Sequence, residues 1–156
     1  MRARLKQMDT TQLDHKITAP GFLGAFPYDK IPAKPDSRAF SVILNTDPET
    51  EPGDHWIALV YKSPRFYFCD SYGRTFRNPT FSPAFSATVK RFIGKTAHRR
   101  NTKFLQRLTS NTCGDYCVYF IQELAKMSFA RTTRVFSTNL KSNDRFVENY
   151  VNKLSI

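Results

Sequence analysis

A polar loop, Ser110-Asn111-Thr112, runs directly into Cys113-Gly114-Asp115-Tyr116-Cys117, and Phe120, Ile121 and Leu124 carry an apolar face onward at helical spacing. A helix this apolar has to be buried, so the rest of the chain must be arranged around it. Its first turn receives Cys113. Backbone N–H groups that lack an intrahelical partner, together with the positive end of the helix dipole, favour a thiolate there and make a weak nucleophile usable. Upstream, His55 precedes the run Trp56-Ile57-Ala58-Leu59-Val60, and Asp70 ends Phe66-Tyr67-Phe68-Cys69-Asp70. A base, an acid to orient it and a nucleophile are therefore present in the order His, Asp, Cys. Gln106, seven residues before Cys113, offers a side-chain amide to an oxyanion. That set of groups is suited to acyl transfer through a cysteine.

The spacing of apolar residues predicts the elements that carry these groups. Asp9-Thr10-Thr11-Gln12 has the form of a capping box and opens a short helix ending near Lys16. Pro20, Gly21, Gly24, Pro27, Pro32 and Pro35 then mark a long turn-rich segment. Residues 40–45, 56–61 and 65–70 read as strands, the first two separated by the polar loop 47–53. Adjacent strands at 56–61 and 65–70 would bring His55 and Asp70 together although they are 15 residues apart. Ser82-Pro83 opens a helix with Phe85, Val89, Phe92 and Ile93 on one face and Gly94 at its end. A short strand is expected at 103–106, and Asn143-Asp144 as the cap of a last helix carrying Phe146, Val147, Tyr150, Val151 and Leu154. The fold class is α+β, a small mixed β-sheet flanked by helices with the nucleophile helix at the centre. The 156 residues suit one domain, 1–156.

Net charge is +11, and its placement is uneven. From Ser71 through Gly114 there is no Asp or Glu, while Arg74, Arg77, Lys90, Arg91, Lys95, Arg99, Arg100, Lys103 and Arg107 fall within it. A solvated basic face would account for such a run. Nine cations without an acid in 44 residues favour instead a surface for a polyanion, bound through phosphates and without base reading, with Arg99, Arg100 and Lys103 as its densest part. No apolar run is long enough to cross a bilayer, and the opening Met1 to Met8 stretch lacks the apolar core of a secretory signal, so an intracellular chain without a membrane partner is expected, as a monomer. Three cysteines do not make a disulfide framework.

Other residues compete for these roles. Cys117 lies one turn after Cys113 and is expected to face the core; Cys69, in a strand, is expected to be structural as well. Cys113, Cys117 and His55 fall within zinc-ligand spacing, but no fourth ligand stands nearby to close a tetrahedron, and no metal is expected. His15 and His98 read as surface residues. Asp54 adjoins His55 and is badly placed to reach its ring. Asp115 in the first helical turn supports the helix start. Trp56 either shields the imidazole or packs as a strand-edge core residue.

Four segments, Gly21-Phe22-Leu23-Gly24, Val42-Ile43-Leu44-Asn45-Thr46 with His55-Trp56, Phe68-Cys69-Asp70-Ser71-Tyr72-Gly73, and Gln106 through Cys117, resemble in order the motifs of the adenovirus-type cysteine proteases (adenain) and their relatives in adenovirus-like viruses and virus-like transposons. The resemblance covers about residues 19–126. It implies the adenain-like fold, with His55 as base, Asp70 as orienter, Cys113 as nucleophile and Gln106 as oxyanion donor. It also implies viral precursor polypeptides as substrates, cleaved at Gly-containing sites during particle maturation, DNA as a cofactor, and a place in the virion and host nucleus. Two departures stand out. Adenain has Glu at the position of Asp70, where the related proteases of SUMO-like modifiers have Asp. Adenain is also stimulated by a peptide linked through a disulfide to a cysteine between the acid and the Gln, and residues 71–112 here contain no cysteine, which argues against such a peptide. The chain is shorter than adenain at its C-terminal end. Two alternatives remain at this point: a deconjugating protease for SUMO- or ubiquitin-like modifiers, and a DNA-binding structural protein with a vestigial site.

Overall fold

A computed structural model describes residues 7–154; the basic opening residues, 1–6, lie outside that range. The first helix, α1 (Thr10–Lys16), starts at the expected capping box, the Asp9 carboxylate accepting from the Gln12 N–H while the Gln12 side chain accepts from the Asp9 N–H. Strand β1 (Phe22–Pro27) and a 3₁₀ turn (Tyr28–Lys30) follow, then β2 (Ala39–Asn45), β3 (Trp56–Lys62) and β4 (Arg65–Cys69). Next come α2 (Pro83–Ile93), β5 (Ala97–Arg100), α3 (Cys113–Leu124), α4 (Phe129–Thr133) and α5 (Leu140–Asn152). The five strands form one sheet in the order β1-β2-β3-β4-β5. The β2–β3 and β3–β4 pairs are antiparallel, and β1 and β5 add in parallel at the two edges. The sheet is mixed and the class is α+β.

Both faces of the sheet are covered, which explains why β2 and β3 read as continuous apolar runs rather than alternating ones. On one face Phe40, Val42, Leu44, Ile57, Leu59, Phe66 and Phe68 pack against Phe85, Val89, Phe92 and Ile93 of α2. On the other, Ile43, Ala58, Val60 and Cys69 meet α3, with α1 and α5 packed around it. Every residue of α3 except Glu123 is buried, so the helix that begins at Cys113 is the central one. The α2 helix has its cap at Ser82, Pro83 in its first turn and Gly94 at its end with φ of 63°. Among the described residues no helix is long and apolar enough to cross a membrane.

Three elements differ from the sequence expectation. β1 lies in the segment expected to be turns; Gly24, at φ 125°, sits where the register with β2 shifts, and such a bulge on an edge strand uses the Gly and Pro residues that otherwise signal a loop. The fifth strand is Ala97–Arg100, a polar edge strand with no alternation, and not residues 103–106. Those residues are irregular, although the Leu105 and Gln106 N–H groups both donate to the Ser71 carbonyl at 2.8 and 3.2 Å. α5 begins at Leu140, capped by Asn139, so Asn143 and Asp144 fall inside its first two turns and are buried.

Candidate active site

The β3–β4 pairing brings the start of β3 beside the end of β4, Ala58 opposite Cys69, and so sets His55 and Asp70 side by side. His55 Nε2 donates to Asp70 Oδ1 at 2.6 Å, and both side chains are buried. The Cys113 side chain at the start of α3 is the other group that acts on the imidazole, favouring its charged form. Burial works against the imidazolium, but the bonds to Asp70 and Cys113 and their negative charges outweigh it and raise His55 to about 9. The ring therefore carries its proton at neutral pH.

Asp70 is fully buried and engaged on every side. Its Oδ2 accepts from the Arg74 N–H at 3.1 Å and from Arg74 Nε at 2.8 Å. Burial opposes its charge, while the His55 and Arg74 bonds more than offset that and bring it down to about 2. Its backbone is held by the buried Asn101, whose Oδ1 accepts from the Asp70 N–H at 3.0 Å and whose Nδ2 donates to the Asp70 carbonyl at 2.6 Å. The turn after it needs Gly73, at φ 69°, where a Cβ would lie 2.6 Å from the Lys103 carbonyl oxygen. Tyr72 stacks on the imidazole with ring centroids 4.9 Å apart, and the Arg74 guanidinium lies over Tyr72. Burial first, then the charge at Cys113, push the Tyr72 phenol up to about 12, so it stays neutral.

The loop that leads into Cys113 is fastened to α5. Asp144 accepts from Arg107 Nε at 2.9 Å, Thr112 Oγ1 at 3.1 Å and the Tyr116 hydroxyl at 2.8 Å. Thr112 is the N-cap of α3, but its hydroxyl is directed to Asp144 and makes no cap bond to the helix. The first-turn N–H groups beside Cys113 thus keep no Thr112 cap, which suits stabilisation of a negative charge at that end. Gly114 is where the helix lets the N-terminal segment approach, since a Cβ there would meet Leu13 Cδ2 at 3.2 Å and Met8 Cε at 3.4 Å. Trp56 is a buried packing residue whose indole N–H donates to the Met8 carbonyl at 2.9 Å.

Gln106 is buried in the same cluster. Its Oε1 accepts from Ser71 Oγ at 2.5 Å, and its Nε2 donates to the Ser110 carbonyl at 3.1 Å and to Ser110 Oγ at 3.0 Å. In this conformation its amide donors are directed at the loop that precedes the cysteine. Cys69 and Cys117 are buried, and burial pushes both thiols up, so neither competes as a thiolate. His15, Asp54 and His98 are exposed and Asp115 is buried in the first turn of α3. Of the nine cations between Ser71 and Gly114, Arg74 and Arg107 are committed to the carboxylates of Asp70 and Asp144. Arg99 and Lys103 are exposed, and half-buried Arg100 donates from Nη1 to the Gly73 carbonyl at 2.9 Å. Sequence reasoning missed Tyr72, Arg74, Asn101 and Asp144 as supports of the site. Only the Ser71-Tyr72-Gly73 motif hinted at one of them.

No family model matches the chain. The protease of Porcine adenovirus A serotype 3 is 26% identical over 122 residues, an overlap covering 70% of this chain and 59% of that protein. The protease of Snake adenovirus serotype 1 is 29% identical over 110 residues, covering 65% and 55%. The chain thus spans less than two thirds of the length of these curated relatives. Among solved structures, an ASFV protease covers 79% of this chain over 46% of its own length at 22% identity and a TM-score of 0.49. The central domain of the uncharacterized Lpg1148 protein from Legionella pneumophila matches 96% of this chain with 99% of its own length, at 10% identity and a TM-score of 0.53, a likeness of fold. The resemblance drawn from the four motifs is borne out at the level of sequence: over about two thirds of its length the chain is similar to adenovirus proteases.

Proposed function

We propose that the chain is a cysteine endopeptidase of the adenovirus-protease type. The observation that carries this is the buried His55 ring, bonded to Asp70 and held in its charged form by Asp70 together with Cys113, the first residue of the central helix. The Cys113 proton resides on the imidazole, and the thiolate attacks the scissile carbonyl carbon, forming a C–S bond and an oxyanion. The Cys113 backbone N–H and the Gln106 amide hold that oxyanion, Gln106 releasing Ser110 to do so. Collapse breaks the C–N bond as His55 protonates the departing amine. Water, deprotonated by His55, then hydrolyses the thioester, releasing the Cys113 thiolate beside the protonated ring. Asp70 keeps the ring oriented and its positive charge stabilised.

An open groove of about 700 Å³ runs beside this centre between the N-terminal segment, the β2–β3 loop and Ser110-Asn111, and has the size to take an extended peptide. By likeness to the adenovirus proteases, the substrates are viral precursor polypeptides cut at Gly-containing sites during particle maturation, in the virion and host nucleus. DNA would act as a non-specific track along the face that carries Arg99 and Lys103. Candidate precursors incubated with the wild type and with Cys113→Ala, then analysed by mass spectrometry, test the reading. New termini after Gly with the wild type alone support it; no new termini, or cleavage only of fusions ending in a ubiquitin-like Gly-Gly, overturn it.

A further inference from the structure

The sulfur of Cys113 has a second partner that the mechanism above does not use. Cys113 Sγ donates to Gln7 Oε1 at 3.1 Å. Gln7 is held in place by its neighbours. Met8 is 4% exposed, packs over Gly114 and accepts the Trp56 indole N–H, and Asp9 caps α1. Gln7 also lines the groove, together with Asn45, Asp54, Ser110 and Asn111. Cys113 itself is only 2% exposed, so the Gln7 carboxamide is a group that stands between the sulfur and the groove.

We infer that Gln7 belongs to the catalytic centre, its carboxamide donating a hydrogen bond from Nε2 to the Cys113 sulfur once the thiol has passed its proton to His55. This rests on the reading of Cys113 as nucleophile. A thiol can give its proton to Oε1, but a thiolate has none to give and repels a carbonyl oxygen at that distance. Half a turn about the last side-chain torsion exchanges Oε1 for Nε2 without moving the backbone, and the same contact then becomes charge-assisted. Gln106 does not meet that need in this conformation, because its amide hydrogens are directed at Ser110. The ionisable groups around the sulfur are His55 before β3, Asp70 and Tyr72 after β4, Cys117 and Asp115 on α3, and Asp9 beside Gln7. All of them are unchanged in variants of Gln7.

The test compares wild type, Gln7→Leu, which fills the space without a donor, and Gln7→Glu, which can accept from the thiol but cannot donate to the thiolate. Iodoacetamide alkylation of Cys113, located by peptide mass, is followed from pH 5 to 10. The pH of half-maximal rate should rise by about one unit in Gln7→Leu and further in Gln7→Glu, as expected for loss of one hydrogen bond to a charged group. A midpoint that stays or falls in Gln7→Leu, or a Gln7→Glu profile equal to wild type, overturns the inference. The midpoint separates donation from access, since merely uncovering the sulfur raises the maximal rate and leaves the midpoint in place. If Cys113 of the wild type reacts no faster than in the urea-unfolded chain, the reading of Cys113 as nucleophile fails instead, and the variant midpoints still report on Gln7.

Discussion

Asp70→Asn removes a charge while keeping a side chain of the same shape. Holding His55 near 9 rather than 6.5 is worth about 3 kcal/mol to the imidazolium. The Asp70 bond is the largest of the contributions that raise it, so neutralising Asp70 should remove a large share of that stabilisation and lower the imidazole titration. The amide also has to choose: an NH₂ group turned to Arg74 meets a guanidinium donor at the place of Oδ2, and turned to His55 it meets the Nε2–H. Some misorientation of the ring follows. The expected loss in kcat is about 10²–10³, below the roughly 10⁴ known for a serine protease acid because a thiolate is the better nucleophile. The assay is kcat/KM on a fluorogenic peptide across pH 6 to 10. The wild type should lose activity as pH rises through about 9, where His55 gives up its proton, and the variant should lose it at a clearly lower pH. Stability carries the same signature. A raised His55 contributes fully below 6.5 and is lost as pH climbs through about 9, whereas the depressed Asp70 contributes above 3.8 and is lost as pH falls through about 2. An Asp70→Asn enzyme with a wild-type alkaline limb and undiminished kcat would refute the assignment of Asp70 as the acid that charges the ring.

Other perturbations bear on the supports. Gly73→Ala places a Cβ against the Lys103 carbonyl at positive φ and should cost about 2 kcal/mol or more in urea unfolding, with kcat falling because Asp70 opens that turn; a change under about 0.5 kcal/mol would contradict it. Asn101→Ala leaves a buried N–H and a buried carbonyl of Asp70 without their side-chain partner, an expected loss of about 2–3 kcal/mol read by the same unfolding curve, and full stability would argue against it. For the basic face, Arg99→Ala with Lys103→Ala should lower the log–log salt slope of DNA binding by up to about two while leaving peptide hydrolysis intact; unchanged affinity at low salt removes DNA from the account.

The parts of the molecule that were legible in the sequence are those where one local signal decides the structure. The apolar runs of β2, β3 and β4 are buried on both faces, so they stand out against their loops, and the β3–β4 turn by itself puts His55 next to Asp70. The capping box at Asp9 and the Ser82-Pro83 start with Gly94 at the end fixed two helices in the same way. Edge strands carry no such signal: β1 is broken by Gly24 and Pro27, and β5 is Ala-His-Arg-Arg. The polar supports of the site were hidden for a related reason. Asn101 and Asp144 sit in polar surroundings in the sequence, Asn143-Asp144 looks like a helix cap, and only the three-dimensional approach of α5 to the nucleophile loop shows that Asp144 is buried under Thr112 and Tyr116. The basic stretch had a similar ambiguity, since sequence counts Arg74 and Arg107 as surface cations and the fold pairs both with buried carboxylates.

The most direct check on the central claim is to treat the folded protein at neutral pH with less than one equivalent of iodoacetamide and locate the label by peptide mapping, with His55→Ala alongside. The account predicts that the label lies on Cys113, that Cys69 and Cys117 remain unmodified, and that the preference disappears when His55 is removed. Label on Cys69 or Cys117, or labelling of Cys113 that does not depend on His55, would contradict it.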